Sequence, residues 1–498
     1  MSSIEEIREE RLRKIKVLEE KGISAYSDMS LRDSTIKSFL NKFSELENEG
    51  VNVILAGRVM TLRQHGGLVF LDLFDGTARV QIMLKKEDLG KESFELFNDV
   101  IDTGDFVEFT GIAFTTKRGA QSLQASSWAI LTKSLQQIPD EWYGIKDEDD
   151  RFRKRYLDIL LNEEVSQIVK LRSKFWNTMR SFLLERDFIE VDTPVLENTT
   201  GGAEARPFVT HHNALDIDVY LRISAGELWQ KRLMVAGIPK TFEIGRIFRN
   251  EGMSNEHLQD YAQLEFYSAY TSFSEGMKMV QELYRKIVLD VFGTSEFEIK
   301  GHKIDFAKKW AVYDFSEIIT ERFGIDPRTE ISSKTGERIT ETELKEICAI
   351  AGVTCEGDAF NITRTIDILW KSIRKEFIGP GFLIGVPVSM EPLAKRSKEN
   401  SDVVERFQVI LAGSEMGKGF NELNDPLDQN QRFEQQQKMR EAGDDEAQMA
   451  DSDYVEALEY GMPPTFGFGV SERLLSFLLD KNIRETQLFP LMKPRDKN

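Results

Sequence analysis

FEIGRIFRNEG (Phe242 to Gly252), followed after a polar loop by YAQLEFYSAY (Tyr261 to Tyr270), decides the architecture of this chain. Two apolar runs of strand length, parted by a polar loop, read as neighbouring strands in a hairpin-like arrangement. Far downstream, GFGVSER (Gly467 to Arg473) runs into LLSFLL, which reads as a glycine-rich strand entering a buried helix. Arg249 follows the first apolar run and Arg473 closes the glycine-rich one. A guanidinium is a rigid fork of donors matched to phosphate and carboxylate. Two such forks on one sheet could grip a nucleotide triphosphate from both ends, which points to an enzyme that activates a substrate with ATP.

The bulk properties narrow the class. A length of 498 residues favours roughly three domains, and 41% hydrophobic residues is ordinary for a globular protein. No apolar run is long enough to span a bilayer. The start, MSSIEEIREERLRKIK, lacks the apolar core of a signal peptide. Two cysteines, Cys348 and Cys355, could pair, but so few suggest a reducing cytoplasm. Cys and His do not cluster at zinc-finger spacing. The net charge of −19 argues against non-specific nucleic-acid binding. Local basic runs such as RFRKRY (Arg151 to Tyr156) leave a polyanion partner open, and equally read as solvated faces.

Four segments follow from the patterning. Residues 1–50 form an N-terminal helical segment, with a surface helix over 4–21. Residues 51–135 hold five short alternating runs with a helical insertion over Lys86 to Val100, which fits an OB-fold whose open face takes single-stranded nucleic acid. Residues 136–162 read as a polar linker. Residues 163–498 mix helices (163–187, 274–292, 341–351, 361–377) with strands that lack βαβ regularity, which predicts an antiparallel α+β domain. There is no Walker A loop and no G-x-G-x-x-G opening a helix, so ATP needs another scaffold here.

Two groups of residues carry candidate chemistry. Arg249, Glu251, His257 and Arg473 supply charge and donors for phosphates, and Glu415, in GSEMGKGFNELND (Gly413 to Asp425), could hold Mg²⁺. Glu227, Glu265 and Glu422 sit in the apolar or aromatic contexts SAGELW, AQLEFY and GFNEL. Buried carboxylates are costly unless paired, so three converging on one cavity demand a cationic ligand. Tyr267 could add a hydroxyl. The plain alternatives are a surface ion pair for Arg249, a solvated His257, and a neighbouring Lys or Arg for each carboxylate.

Together these residues resemble the class II aminoacyl-tRNA synthetases, and within them the lysyl-tRNA synthetases. DFIEVDTPVL (Asp187 to Leu196) resembles motif 1, FRNEGMSNEHLQDYAQLEFY (Phe248 to Tyr267) motif 2, and GFGVSERLLSFL motif 3. GGAEARPFVTHHNALDIDVYLRI, GFNELNDP, AGDDEA, ALEYGMPPT and LFPLMKP continue the series in order, so the likeness covers nearly the whole chain after about residue 50. The resemblance implies an antiparallel-sheet catalytic domain, a homodimer, and a two-step reaction. ATP and lysine form lysyl-adenylate, and the lysyl group passes to the terminal adenosine of tRNA(Lys). It further implies that Arg249 bridges the lysine carboxylate and the α-phosphate, that His257 faces the outer phosphates, and that Tyr261 and Arg473 enclose the adenine, which Glu251 contacts. Glu227 and Gly202 would receive the α-amino group. Glu265, Tyr267 and Glu422 would surround the ε-ammonium, with Phe420 along the aliphatic stem. In the barrel, Arg63, Phe70 and Gln81 match anticodon-reading positions.

The likeness has departures. Gln408 stands where a second acidic Mg²⁺ ligand is usual beside Glu415, and Lys418 where an asparagine is usual. Glu256 and Leu258 replace a basic residue and an asparagine around His257. RISAGELW is one residue longer than the usual segment, and Ala120 and Gln121 replace a Gly-Glu pattern. Two other readings stand beside a lysine–tRNA ligase: an aspartyl- or asparaginyl-type ligase of the same architecture, and a tRNA-binding paralogue without ligase activity. Glu265 and Glu422 argue against the first, and retention of both arginines and the barrel against the second.

Overall fold

A computed structural model of the chain describes residues 4–139, 145–203, 205–252, 254–354, 362–441 and 447–495. It divides into two compact units. The first holds helix α1 (Ile4–Glu20) and five strands, β1 (Asn52–His65), β2 (Leu68–Phe74), β3 (Arg79–Lys85), β4 (Phe106–Thr115) and β5 (Gln121–Thr132). These strands close a barrel in the order β1-β2-β3-β5-β4, with helix α2 (Lys91–Val100) between β3 and β4. This is the OB arrangement that the alternating runs predict. Along β2 the alternation is strict: Val69, Leu71 and Leu73 are fully buried in the barrel, while Phe70 and Asp72 lie on the other face. Phe70 is therefore not barrel core.

In the second unit, helix α3 (Glu163–Leu184) leads to the short strand β6 (Ile189–Glu190). Helix α4 (Glu227–Val235) precedes the paired strands β7 (Lys240–Phe248) and β8 (Asp260–Ala269), followed by helix α5 (Phe273–Ile287). Ser272 caps α5 reciprocally with Glu275, two otherwise orphaned donors being satisfied at once. Strand β9 (Ala311–Asp314), helix α6 (Ile362–Ile373), and strands β10 (Gly381–Ile384), β11 (Arg406–Leu411) and β12 (Ser414–Asn421) come next. Helices α7 (Pro426–Glu441) and α8 (Ser452–Glu459), strand β13 (Thr465–Ser471) and helix α9 (Arg473–Leu478) complete the elements that build the site.

One eight-stranded sheet organises this unit, in the order β9-β10-β11-β12-β13-β8-β7-β6. The six central strands are mutually antiparallel, and only the edge strands β9 and β6 pair in parallel. The antiparallel α+β expectation is met.

The two faces of the sheet differ by the parity of a few residues. Leu264 and Phe266 on β8, with Phe466, Phe468 and Val470 on β13, point into a core shared with α3, α5 and α9. The ring of Phe266 lies 5.4 Å from that of Phe188 and 5.5 Å from that of Phe468. The alternate residues, Glu265 and Tyr267 on β8, therefore reach the opposite face. There β13 offers Gly469 and Gly467 as their direct register partners.

Between 136 and 162, where the patterning predicts a linker, the described residues include two short helices, Glu148–Arg153 and Arg155–Leu161. Arg155 is buried and donates to the carbonyl of Glu485, so RFRKRY is not simply a solvated basic face. Cys348 is buried, and Cys355 lies outside the described residues, as do Glu204, Met253 and the 442–446 part of AGDDEA.

Candidate active site

The open face of the sheet carries a cleft of about 590 Å³. It is lined by Gly202, Glu227, Arg249, Glu251, His257, Tyr261, Glu265, Tyr267, Gln408, Glu415, Phe420, Glu422 and Arg473. Every residue singled out for nucleotide, amino-acid or metal contact thus reaches one cavity.

The deep end is built from carboxylates. Glu265 lies across the sheet from Gly469 and is 3% exposed. It accepts hydrogen bonds from the Ala225 amide (2.8 Å), the Gln263 side chain (2.6 Å) and the Tyr267 hydroxyl (2.9 Å). Glu227 opens α4, and Lys231 stands one turn later. Lys231 Nζ donates to Glu227 Oε1 at 2.7 Å and lies 2.5 Å from Glu422 Oε2. The Lys231 and Glu422 side chains are wholly buried and that of Glu227 nearly so. Apart from Lys231, no hydrogen-bond donor meets Glu422 among the described residues, so its carboxylate keeps unused acceptor capacity.

This qualifies the expectation of three carboxylates awaiting a ligand: an internal ammonium already serves two of them. It does not neutralise the set. Burial, reinforced by the Glu227 charge, pushes the Glu265 carboxyl up to about 7. Burial likewise lifts Glu422 well above the carboxylate range, with Lys231 opposing and Glu227 and Glu265 adding to it. Two glycines make the chamber possible. A Cβ on Gly467 would come within 2.1 Å of Glu422 Oε1 and 2.7 Å of the Tyr267 ring. Gly202 has φ +87°, and a Cβ there would meet Ser224 Oγ at 2.6 Å and Glu227 Cβ at 2.7 Å.

The outer end is cationic. Arg249 donates to the Ile223 carbonyl at 3.3 Å, and its guanidinium lies 5.8 Å from the Tyr261 ring centroid. Arg473 donates to Glu256, which Lys300 also meets at 2.6 Å. Burial works to raise the Glu256 carboxyl, but Arg473 and Lys300 outweigh it and hold the pKa at about 2. His257 is held below its ordinary value by partial burial and by the Arg473 charge, and its Nδ1 meets Ser254 Oγ at 2.8 Å.

Glu415 accepts from the Trp370 indole at 2.7 Å and from the Gln408 amide at 3.2 Å. The Gln408 oxygen accepts in turn from Arg406. Lys418 also lines the cleft, with Nζ 5.8 Å from the Phe420 ring centre, and is held by Glu391, 3.0 Å away, while Arg406 joins the other oxygen of Glu391 at 2.9 Å. Glu391 is thereby kept ionised: burial would raise it, and the two cations lower it below the usual value. Among the described residues no three His, Cys, Asp or Glu side chains gather as a metal site.

Comparison with known proteins gives this cleft its family. The model of class II tRNA synthetases (D, K and N) matches residues 147–493, and that of the OB-fold nucleic acid binding domain matches 53–131. The chain belongs to the class II tRNA synthetases. Three similar proteins carry the name lysine–tRNA ligase. That of Thermotoga maritima is 40% identical, over 99% of this chain and 97% of its own. That of Roseiflexus sp. is 41% identical, over 99% and 100%. That of Halalkalibacterium halodurans is 40% identical, over 98% and 96%.

In the barrel of this synthetase, Arg63 pairs in register with Phe70, and Asp72 with Gln81, so the three anticodon candidates share one outer face. Arg63 is exposed, and Ser122 donates to Gln81 at 3.2 Å. Ala120 and Gln121 lie exposed at the start of β5.

Sequence reasoning missed Lys231, Glu391 and Arg406. Lys231 was legible: ELWQK places it four residues after Glu227 on one helix face. Glu391 gave no such signal, because its partners are distant in sequence.

Glu265 has a folded-state pKa above its ordinary 4.5. Its contribution to stability is therefore complete below that value and is lost as pH rises through about 7. The change is on the order of 3 kcal/mol. In the ligand-free synthetase, the melting temperature of the wild type should fall relative to Glu265→Gln between about pH 5 and about pH 8. Calorimetric scans of both proteins check this, and parallel pH profiles would contradict it.

Proposed function

We propose that this synthetase joins lysine to tRNA(Lys) with ATP. The observation that carries the reading is the deep carboxylate chamber, whose acidic groups outnumber its one internal ammonium, opening towards Arg249 and Arg473 in the same cleft. A ligand with a terminal ammonium offers the missing positive charge. Analogues lacking it would leave buried carboxylates unpaired. The identity of about 40% to full-length lysine–tRNA ligases supports the same substrate.

In this reading the lysine α-amino group lies against Glu227 and the Gly202 backbone. The ε-ammonium meets the unused acceptors of Glu422 and the Tyr267 hydroxyl, beside Phe420. Arg249 pairs the lysine carboxylate and the α-phosphate, which aligns a group that is already a nucleophile. No general base is required. One carboxylate oxygen forms a bond to the α-phosphorus, the bond from that phosphorus to the bridging oxygen of pyrophosphate breaks, and pyrophosphate leaves. The 3′-terminal ribose hydroxyl of tRNA then attacks the acyl carbon, the bond from that carbon to the phosphate oxygen breaks, and AMP leaves, its phosphate taking up the hydroxyl proton. Tyr261 and Arg473 enclose the adenine, Glu251 contacts it, and His257 faces the outer phosphates.

Glu415 would hold Mg²⁺ through its single carboxylate, in keeping with magnesium's habit of taking few protein ligands. Gln408 presents its amide to Glu415 and adds no charge, so a single strongly held ion suits this donor set better than several. When bound, magnesium would neutralise charge on the departing pyrophosphate.

An aspartyl- or asparaginyl-type activity would need cationic or amide groups in place of Glu265 and Glu422. ATP–pyrophosphate exchange with each amino acid separates the readings: lysine should support exchange, and exchange with aspartate or asparagine alone would refute the assignment. Arg249→Ala should lower exchange by roughly a hundredfold or more while leaving tRNA binding intact. Wild-type exchange in that variant would remove Arg249 from its role.

The barrel face of Arg63, Phe70 and Gln81 would take the anticodon, the ring stacking on a splayed base. Phe70→Ala should reduce tRNA charging by about tenfold, in line with roughly 1–3 kcal/mol for a lost stack, and leave exchange unchanged. Equal loss in both assays would place Phe70 in stability instead.

We also infer a cytoplasmic homodimer. Exposed apolar residues around motif 1 and in a three-stranded sheet of Leu196–Glu197, Ile217–Leu221 and Val209–His212, including Ile189, Val195, Leu196 and Val209, support the pairing. Sedimentation equilibrium should give twice the chain mass, and a monomer at micromolar concentration would refute it.

A further inference from the structure

Lys231 has no part in the roles assigned above, yet its buried ammonium lies directly behind two carboxylates that line the cleft. Its side chain is wholly buried, with Nζ 2.7 Å from Glu227 and 2.5 Å from Glu422. The same nitrogen lies 5.4 Å from the ring centre of Phe420 and 5.9 Å from that of Tyr454. Both distances fall within cation–π range. Four elements thus converge on one ammonium: α4, β12, the segment after β12, and α8. Glu265 and Tyr267 on β8 and Arg232 on α4 are the remaining titratable groups around this cluster.

We propose that Lys231 is the positioning residue that sets the charge of the amino-acid chamber. Its ammonium fixes Glu227 and Glu422 in place and leaves a deficit of two positive charges, the number carried by an amino acid with two ammonium groups. The inference rests on the lysine reading of the site and goes beyond it. The substrate's own carboxylate is met separately by Arg249, so charges balance at both ends of the ligand. Without Lys231, three carboxyl groups would share the chamber with no internal cation. Each would hold its proton more tightly, and an entering ammonium would have to displace those protons first.

Linkage fixes the sign. A cationic ligand favours ionised carboxylates, so affinity rises with pH until the chamber is fully ionised in the free protein. Lys231 favours that ionisation, and its removal must move the rise to higher pH. Burial disfavours the Lys231 charge, but Glu227 and Glu422 more than offset this and hold its pKa above the ordinary lysine value, so it remains an ammonium throughout the range tested.

The test is lysine binding by calorimetry as a function of pH, with the full chain. Lys231→Met fills the same space without charge. Its lysine affinity at neutral pH should drop by roughly tenfold or more, and the midpoint of its affinity rise should move up by about one pH unit or more. ATP affinity should stay within about twofold. Lys231→Ala removes three carbons and the ammonium, leaving a space that ethylammonium can enter, and added ethylammonium should restore both affinity and midpoint there but not in Lys231→Met. An unshifted midpoint in a folded Met variant overturns the proposal, as does a loss in the Ala variant that ethylammonium cannot reverse. Should neither variant fold, the wild type decides: binding near neutral pH, measured in buffers of different ionisation heat, should release protons, and net uptake overturns the proposal. No binding of lysine by the wild type would instead sink the reading of the site on which this rests.

Discussion

Water hardly reaches Glu227, Glu265 and Glu422, and the architecture of the cleft follows from that. An ionised carboxylate out of water is tolerable only with a counter-charge and donors around it. The chain supplies both in part. Neutral donors from Ala225, Gln263 and Tyr267 satisfy Glu265 without cancelling its charge. Lys231 cancels one charge on the other side. The remainder is stored as raised carboxyl pKa values, a cost borne in the empty protein and relieved by a cation of the right reach. A ligand without a positive charge would relieve none of that cost.

Placing acidic groups there depends on a sheet with two incompatible faces. Phe266 and Tyr267 are neighbours in sequence, yet one lies in a ring cluster with Phe188 and Phe468 and the other holds Glu265. The period of two does this without any loop. Opposite them, β13 alternates phenylalanine with glycine for the same reason in reverse: rings fill the core face, and bare backbone leaves room for Glu422 and Tyr267. A rigid sheet braced by helices is a better platform than a loop for charges whose separation sets their energy.

Much of this was legible because it is local. Alternation in β2 and β8, the hairpin of β7 and β8, and the strand-to-helix passage at Arg473 follow from residues close together in sequence. The acidic residues stood out as polar interruptions of apolar runs. What escaped were charges whose meaning depends on partners across the fold. The spacing from Glu227 gives Lys231 one partner on its own helix, but the second, Glu422, lies 191 positions later. Glu391 is readable only once Arg406 and Lys418 are known to converge on it. The expectation that each carboxylate either faces a ligand or pairs with a neighbour was too sharply divided, since Glu422 meets Lys231 and still lines the open cleft.

Lys418 completes the argument. A lysine beside a chamber meant for an ammonium would repel the ligand if its charge pointed inward. Gln408, its direct partner across β11 and β12, is uncharged and cannot hold it. Glu391 can, and it lies at 3.0 Å while bound to Arg406 on its other side. A glutamate at 408 would compete with Glu391 for both cations, drawing Arg406 and Lys418 towards Glu415 and the phosphate end. The amide instead passes a hydrogen bond from Arg406 to Glu415 without adding charge. The cation at 418 is accommodated because the anion that holds it stands at 391 and not at 408.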